Sequence, residues 1–337
     1  MRSIIHRLLF ATVFALTLVA VSQPGALSQQ KPTPTPTPDE PEQGDVVYIR
    51  EVRVPVTVTG KDKQPVVGLT KNDFQIFEDK KPQVIKGFTV ASDKDSLPIY
   101  VAVLMDTSGS VAGKLKFEQE SAKNFIYTVT GTRKDRVAFA TFDHEIKLRQ
   151  DFTEKLDLLD KAIDNIGKPG NRTLFYDAIW EICDEKMRSV PGRRVIVVIT
   201  DGDDNNYSRA TLKDAIDIAQ RTETTIFAVS TKAGLSGTAP GVDMGTIQSS
   251  VDRDLQKLCE ETGGSAFFTG DMDQLELAFG RISKELRSTY ILTYTPTNNK
   301  YDGSDRKIEV KLADNRNGYK LKTRKGYKAI SDSLKKQ

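Results

Sequence analysis

The chain has 337 residues, more than one small domain needs, with 38% hydrophobic and 28% charged residues. That balance supports a sizeable folded core and excludes a wholly disordered or membrane-embedded chain. The formal net charge is only +3, and two cysteines are too few for a disulfide scaffold, so neither an electrostatic nucleic-acid binder nor a small cross-linked secreted fold is indicated.

The first 28 residues read as a secretory signal peptide. Arg2 and Arg7 precede the apolar run 8–21, and Ala26-Leu27-Ser28 offers a small-residue cleavage site. The run is short for a membrane span, though an uncleaved N-terminal anchor is the alternative. Removing Arg2 and Arg7 takes the formal charge from +3 to +1. Residues 29–45 alternate Pro and Thr over 32–38 and then carry Asp39, Glu40 and Glu42. Alternating proline makes an extended spacer that cannot pack a core.

From 46 to 96 the pattern is that of strands. Val52, Val54, Val56 and Val58 alternate with Arg53, Pro55, Thr57 and Thr59, a half-buried strand. Pro55 cannot donate a ladder hydrogen bond, which places it at an edge or a bulge. Phe74 to Phe77, a turn at Asp79-Lys80-Lys81, and then Val84 to Phe88 read as a hairpin. So few strands cannot bury both faces unaided. The partners expected are at the other end, in 288–328, where Tyr290 to Tyr294, then Ile308, Val310 and Leu312, then Tyr319 to Thr323 form further strands. The two flanks are expected to build one smaller discontinuous β-sandwich, and 329–337 is a basic tail. Lys320, Lys322, Arg324 and Lys325 read as the solvated face of a strand in that sandwich.

The centre, 97–287, alternates strand and helix. The strands expected are the run 98–105, Arg136 to Phe142, a short alternating strand to Phe152, Arg194 to Thr200, Thr225 to Ser230 and Ser265 to Phe268. Helical spacing marks Leu115, Ala122, Phe125, Ile126 and Val129, then 174–187, 212–219, a segment ending at Cys259, and finally Leu275, Ala278, Phe279, Ile282 and Leu286. Repeated units of this kind give an α/β fold, a doubly wound, mostly parallel sheet with helices on both faces. Cys183 and Cys259 fall in two different helices. An exported chain permits a disulfide between them, and two buried thiols are the alternative.

Three loops at strand ends carry the chemistry. Asp106-Thr107-Ser108-Gly109-Ser110 follows the first central strand, Gly170-Asn171-Arg172-Thr173 opens a helix, and Thr200-Asp201-Gly202 ends another strand. Ligands on open α/β sheets collect at that edge. The combined set of hydroxyls and two carboxylates suits a hard, oxygen-seeking cation such as Mg²⁺, with Mn²⁺ or Ca²⁺ as alternatives. Taken singly, the serines and Thr173 are also ordinary N-cap residues and Asp201-Gly202 an ordinary turn pair. Asp203, Asp204 and Asn205 complete no Ca²⁺-loop template.

Asp106, Ser108, Ser110, Thr173 and Asp201 together resemble the metal-ion-dependent adhesion site of the von Willebrand factor type A domain, in that order and after the corresponding elements. The flanking stretches 65–79 and 306–327 are similar to a bacterial group of exported proteins related to that domain. The resemblance implies that Ser108, Ser110 and Thr173 touch the metal while Asp106 and Asp201 hold it through water or hydrogen bonds. Neutral hydroxyls would leave much of the ion's charge uncancelled and one position open for an acidic side chain of a partner. The implied function is a divalent-metal-dependent protein-binding module, with no nucleic-acid ligand and with possible envelope association. The family also implies a shift of the last helix on ligand binding. Loop 232–250, at the same sheet edge, is expected to shape partner choice.

Two other readings compete. Mg²⁺-assisted phosphoryl transfer could use Asp106 as nucleophile, but Ser108 stands where a second acid-base carboxylate would be needed. A Ser-His-Asp hydrolase would require His144, the one histidine after the signal segment, and no GxSxG elbow is present. The last alternative is a structural domain that keeps this fold and uses no metal.

Overall fold

A computed structural model describes residues 51–93, 96–130, 135–201, 207–232, 250–269, 272–314 and 317–329. The signal and spacer segments, Asp203 to Asn205, most of loop 232–250 and the basic tail from 330 lie outside the described residues. Residues 48–337 form one compact unit. Among the described residues no helix is long and apolar enough to cross a membrane.

The N-terminal strands are β1 (Val52–Thr59), β2 (Phe74–Glu78), β3 (Lys81–Gln83) and β4 (Ile85–Val90). The central part follows as β5 (Ile99–Asp106), α1 (Leu115–Val129), β6 (Arg136–Phe142), β7 (Ile146–Thr153), α2 (Leu156–Asp164), α3 (Phe175–Glu181), β8 (Arg193–Thr200), α4 (Leu212–Arg221), β9 (Thr224–Ser230), α5 (Ser250–Thr262), β10 (Ala266–Phe268) and α6 (Met272–Ser288). The chain closes with β11 (Tyr290–Tyr294), β12 (Asp305–Leu312), β13 (Lys320–Lys322) and β14 (Gly326–Lys328).

The central sheet runs β10-β9-β8-β5-β6-β7, parallel except for β7, which pairs antiparallel with β6. Its inner parallel strands are apolar on both sides because helices cover both faces, while the edge strand β7 is largely polar. Alternation divides β5 cleanly. Ala102 and Leu104 join the core under α3, α4 and α5, whereas Val101, Val103 and Met105 join the core under α1, α2 and α6. Phe125 of α1 stacks on Phe279 of α6, with centroids 4.9 Å apart, and ties the first and last helices together. The chain leaves β5 toward β6 on one side and returns as β8 on the other, so the strand order reverses at β5 and β8. Asp106 ends the first of these strands and Thr200 the second.

The flanks form two antiparallel sheets, β13-β1-β11-β4 and β14-β12-β2-β3, each drawing strands from both ends of the chain. Val52, Val54, Val56 and Val58, beside Tyr290, Leu292 and Tyr294 of the same sheet, pack with Phe74 and Ile76 of the other in a third core. The protein is thus a doubly wound α/β domain inserted in a smaller discontinuous β-sandwich. Strand β1 is not a sheet edge. However, β13 pairs only with Thr57 to Thr59, so Pro55 has β11 on one side and a locally open edge on the other. Sheet order and proline chemistry are reconciled by a short neighbour.

Two expectations need correction. The hairpin after β2 is only three residues long. Asp79 and Lys80 adopt positive φ in a tight turn, β3 pairs with β2, and beyond Gln83 the chain crosses to the other sheet, where β4 pairs with β11. Pro82 in β3, on the edge of its sheet, is compatible with so short a strand. The basic run near the C-terminus is only half solvated. Lys320 and Lys325 are exposed, but Arg324 is buried and Lys322 is half-buried against the central domain. Lys322 Nζ bonds both oxygens of Glu285 on α6, at 2.9 and 3.0 Å, and Ser265 Oγ. Arg324 donates to the Arg53 carbonyl at 2.7 Å and lies 3.4 Å from Glu223. Alternation had identified the face correctly, and the inserted domain covers it.

Cys183 and Cys259 are both buried and unpaired with each other. Burial pushes the Cys183 thiol up to about 12. Sequence reading passes over α2, whose Leu159 and Ile163 are fully buried at helical spacing. Its nine residues lie between two loops, and the two apolar anchors are too few to stand out.

The candidate metal site

Asp106 completes β5 with no exposed surface, and its two oxygens are held differently. Oδ1 accepts the backbone N–H of Ser108 at 2.8 Å, the tight Asx-type turn that bends the chain out of the sheet. Oδ2 accepts the Thr200 hydroxyl at 2.8 Å, across the point where strand order reverses. Ser108 and Ser110 hydroxyls lie 2.9 Å apart, Ser108 buried and Ser110 exposed. The carboxylate is thereby fixed, and two hydroxyl oxygens converge above it.

The second loop is anchored to the first through backbone. Gly170 N donates to the Thr107 carbonyl at 2.9 Å, and Ser108 and Gly170 form an isolated parallel bridge. A side chain at Gly170 would meet Asp143 and His144 atoms at 2.6 Å, so the close approach requires glycine there. Three residues later Thr173 is buried at the entrance to α3, and Leu174 N donates to the Asp143 carbonyl at 3.0 Å. Asp143 is a brace for both loops. Its Oδ2 accepts the Thr107 hydroxyl at 2.9 Å, and its Oδ1 faces Glu145 N at 3.1 Å and His144 Nδ1 at 2.7 Å. Asp143, His144 and Glu145 present three possible ligand atoms within 4.8 Å of one another, but the inner carboxylate is already engaged in this bracing. His144 is an exposed turn residue, with no serine nucleophile bonded to it among the described residues.

Asp201 follows Thr200 and is almost wholly buried, and its Oδ1 has no hydrogen-bond partner. Thr231 N, beyond the end of β9, donates to the Thr200 carbonyl at 2.8 Å and closes the third strand end onto the same edge. Burial dominates the electrostatics. It raises the Asp106 carboxyl from 3.8 to about 6, against the hydrogen bonds from Ser108 and Thr200, and the nearby Asp201 charge raises it further. A buried, unpartnered carboxylate oxygen beside a second carboxylate and two convergent hydroxyls is an oxygen donor set of the kind that holds a cation. The residues present therefore fit a hard divalent ion.

The structure brings Asp106, Ser108 and Ser110 into one turn, docks the Gly170 loop that leads to Thr173 against it, and sets Thr200 and Asp201 alongside. Sequence reading missed two supporting groups, the Asp143 brace and Glu118. Glu118 lies on α1, where it interrupts the face that carries Leu115, Ala122, Phe125 and Ile126, and it is completely buried. A charged residue on an apolar helical face was the signal available for it. At the rim, the Arg172 guanidinium lies 4.8 Å over the exposed Tyr207 ring.

A doubly wound sheet with hydroxyl and carboxylate loops at its point of strand reversal defines the class of α/β domain present here. The von Willebrand factor type A domain model matches residues 101–281, and the chain belongs to that family. No curated protein matches the chain. Solved structures with a similar fold include an aerotolerance-related membrane protein from Bacteroides fragilis, at 16% identity and a TM-score of 0.41, covering 56% of this chain and 98% of that one. The PilB minor pilin from Streptococcus sanguinis has 16% identity and a TM-score of 0.42, covering 58% and 63%. Proximal thread matrix protein 1 from the mussel byssus, with a zinc-occupied MIDAS motif, has 15% identity and a TM-score of 0.47, covering 62% and 49%. The chain thus spans nearly all of the first of these and about half to two thirds of the other two.

Proposed function

We propose that the protein is an exported, divalent-metal-dependent binding module that engages an acidic side chain of a partner protein, and that it is not an enzyme. Mg²⁺ is the ion favoured, with Mn²⁺ or Ca²⁺ as substitutes, held by Ser108, Ser110 and Thr173 and, through water or hydrogen bonds, by Asp106 and Asp201. The observation that carries the reading is the strand-end cluster. The Ser108 and Ser110 hydroxyls meet at 2.9 Å over a pinned Asp106, beside the unpartnered Asp201 Oδ1. When bound, the ion would supply a Lewis-acidic position for one further oxygen.

The chain's own residues account for selectivity toward an acidic ligand. The hydroxyls are neutral, so the direct ligands would not quench the ion. Asp106 is held back by two hydrogen bonds that orient it without freeing it to attack a substrate. Export is inferred from residues 1–28, and the Pro/Thr spacer would set the module away from its point of origin.

Calorimetric titration with Mg²⁺ and Mn²⁺ tests the reading. The full chain should bind, and Asp106→Ala and Thr173→Ala should each lose at least tenfold in affinity, about 1.4 kcal/mol. Retention of envelope proteins on immobilised protein should disappear with chelator and return with Mn²⁺. Metal-dependent turnover of a phosphoester panel would instead favour phosphoryl transfer.

A further inference from the structure

Glu118 is the group that the five-residue motif leaves unexplained. It sits in the first turn of α1, with no exposed surface; neither of its oxygens has a partner in good hydrogen-bond geometry, and the Thr231 hydroxyl is the donor close enough to act on it. Its surroundings are those of the metal site. Asp106, Asp201, Lys114 and Thr231 all act on its carboxyl, which burial pushes up to about 7. The Thr231 hydroxyl is itself buried and has no other partner, while the Thr231 backbone carbonyl accepts the Lys114 ammonium. A buried carboxylate with a single weakly placed neutral donor is costly, and it persists where something else satisfies it.

We infer that Glu118 is a positioning residue of the metal site, a third buried carboxylate behind the strand-end loops that draws a divalent cation in from the rear. The inference rests on the metal-site reading above and assigns that site a residue outside its motif. With all three ionised, the state that cation binding favours, the carboxylates of Asp106, Asp201 and Glu118 against the ammonium of Lys114 leave two negative charges, which one divalent ion neutralises. The same arithmetic gives Lys114 the opposite sign. Its ammonium would partly occupy the cation's place in the field and weaken loading. Direct coordination is left to the hydroxyls, so Glu118 would set how firmly the ion is held before any partner arrives.

The test is Mn²⁺ calorimetry on the full chain and on Glu118→Gln, Lys114→Met and Glu120→Gln, with thermal midpoints of the metal-free proteins. Glu120 is the control, two residues away, exposed and paired with Lys123 at 3.2 Å. Glu118→Gln should weaken Mn²⁺ binding at least tenfold while its metal-free midpoint stays equal or rises. Lys114→Met should bind several-fold more tightly, and Glu120→Gln should match wild type. Wild-type affinity in Glu118→Gln overturns the inference alone, as does weaker binding accompanied by a lowered midpoint or loss of fold, which would make Glu118 a scaffold residue. Weaker binding in Lys114→Met overturns the charge account. No binding by wild type sinks the metal-site reading and this inference together.

Discussion

Two carboxyls at this site are held well above their ordinary values, Asp106 to about 6 and Glu118 to about 7, in both cases chiefly because burial disfavours the charged form. In the unfolded chain they titrate near 3.8 and 4.5, so below those values both states are protonated and the groups make no difference. As pH rises, the unfolded chain releases its protons first. Folding therefore loses stability between about pH 4 and pH 7, by up to a few kcal/mol for the pair. The metal-free protein should unfold at higher urea concentration at pH 5 than at pH 7. Saturating Mn²⁺ should reverse that order, because the ion binds the ionised forms and its affinity falls with acidification. Equal urea midpoints at the two pH values without metal would show that the carboxylates find other compensation. Four residues of the motif were legible in sequence because they end an apolar strand or lie in the loop directly behind it, and Thr173 because it opens a helix. Glu118 was less so, since a helical glutamate reads as solvated until its neighbours are known.

At the scale of elements, one turn brings the backbone of the inserted domain directly against that of the sandwich. Gly263 closes α5 at φ +87°, and a Cβ there would stand 2.5 Å from Arg324 N and 2.9 Å from the Thr323 carbonyl carbon. Both the left-handed backbone and the contact exclude a side chain. Gly263→Ala should cost on the order of 1–3 kcal/mol in urea unfolding and leave Mn²⁺ affinity unchanged, since the seam lies at the opposite end of β9 from Thr231. An unaltered unfolding midpoint would mean that the turn and strand can separate freely. Central elements were recovered from apolar periodicity because each buries a full face. The missed α2 and the shortened hairpin share a different cause. Short elements carry too few apolar residues to announce themselves, and strand choice after Gln83 is decided by the partner β11, more than 200 residues away.

For the molecule as a whole, the last helix is the physical link between the site's domain and the sandwich. It passes into β11 through Thr289 alone, and its end is held by Lys322 on Glu285, by Arg193 Nη1 on the Leu286 carbonyl at 2.9 Å, and by Arg287 Nη2 on the Val129 carbonyl at 2.8 Å. Arg193 is partly buried, and desolvation lowers its guanidinium to about 10. A shift of α6 on ligand binding must therefore break or carry these contacts into β11 and β13. Hydrogen exchange should then change in 282–294 and 320–324 when metal and partner are both added, and not with metal alone. Protection confined to the strand-end loops would show a rigid module with no transmission to the sandwich.

The sequence by itself determined the class of fold, the alternation of each strand and the three oxygen-bearing loops, because those depend on local spacing and on which residues must leave water. It also showed that the strands of the two chain ends had to find partners beyond their own segment. Only the tertiary structure decided which sheet each flanking strand joins, that Lys322 and Arg324 face the inserted domain, and that Glu118 is buried within electrostatic reach of Asp106 and Asp201. Those outcomes turn on groups far apart in the chain competing for the same neighbours, and local pattern carries no record of that competition.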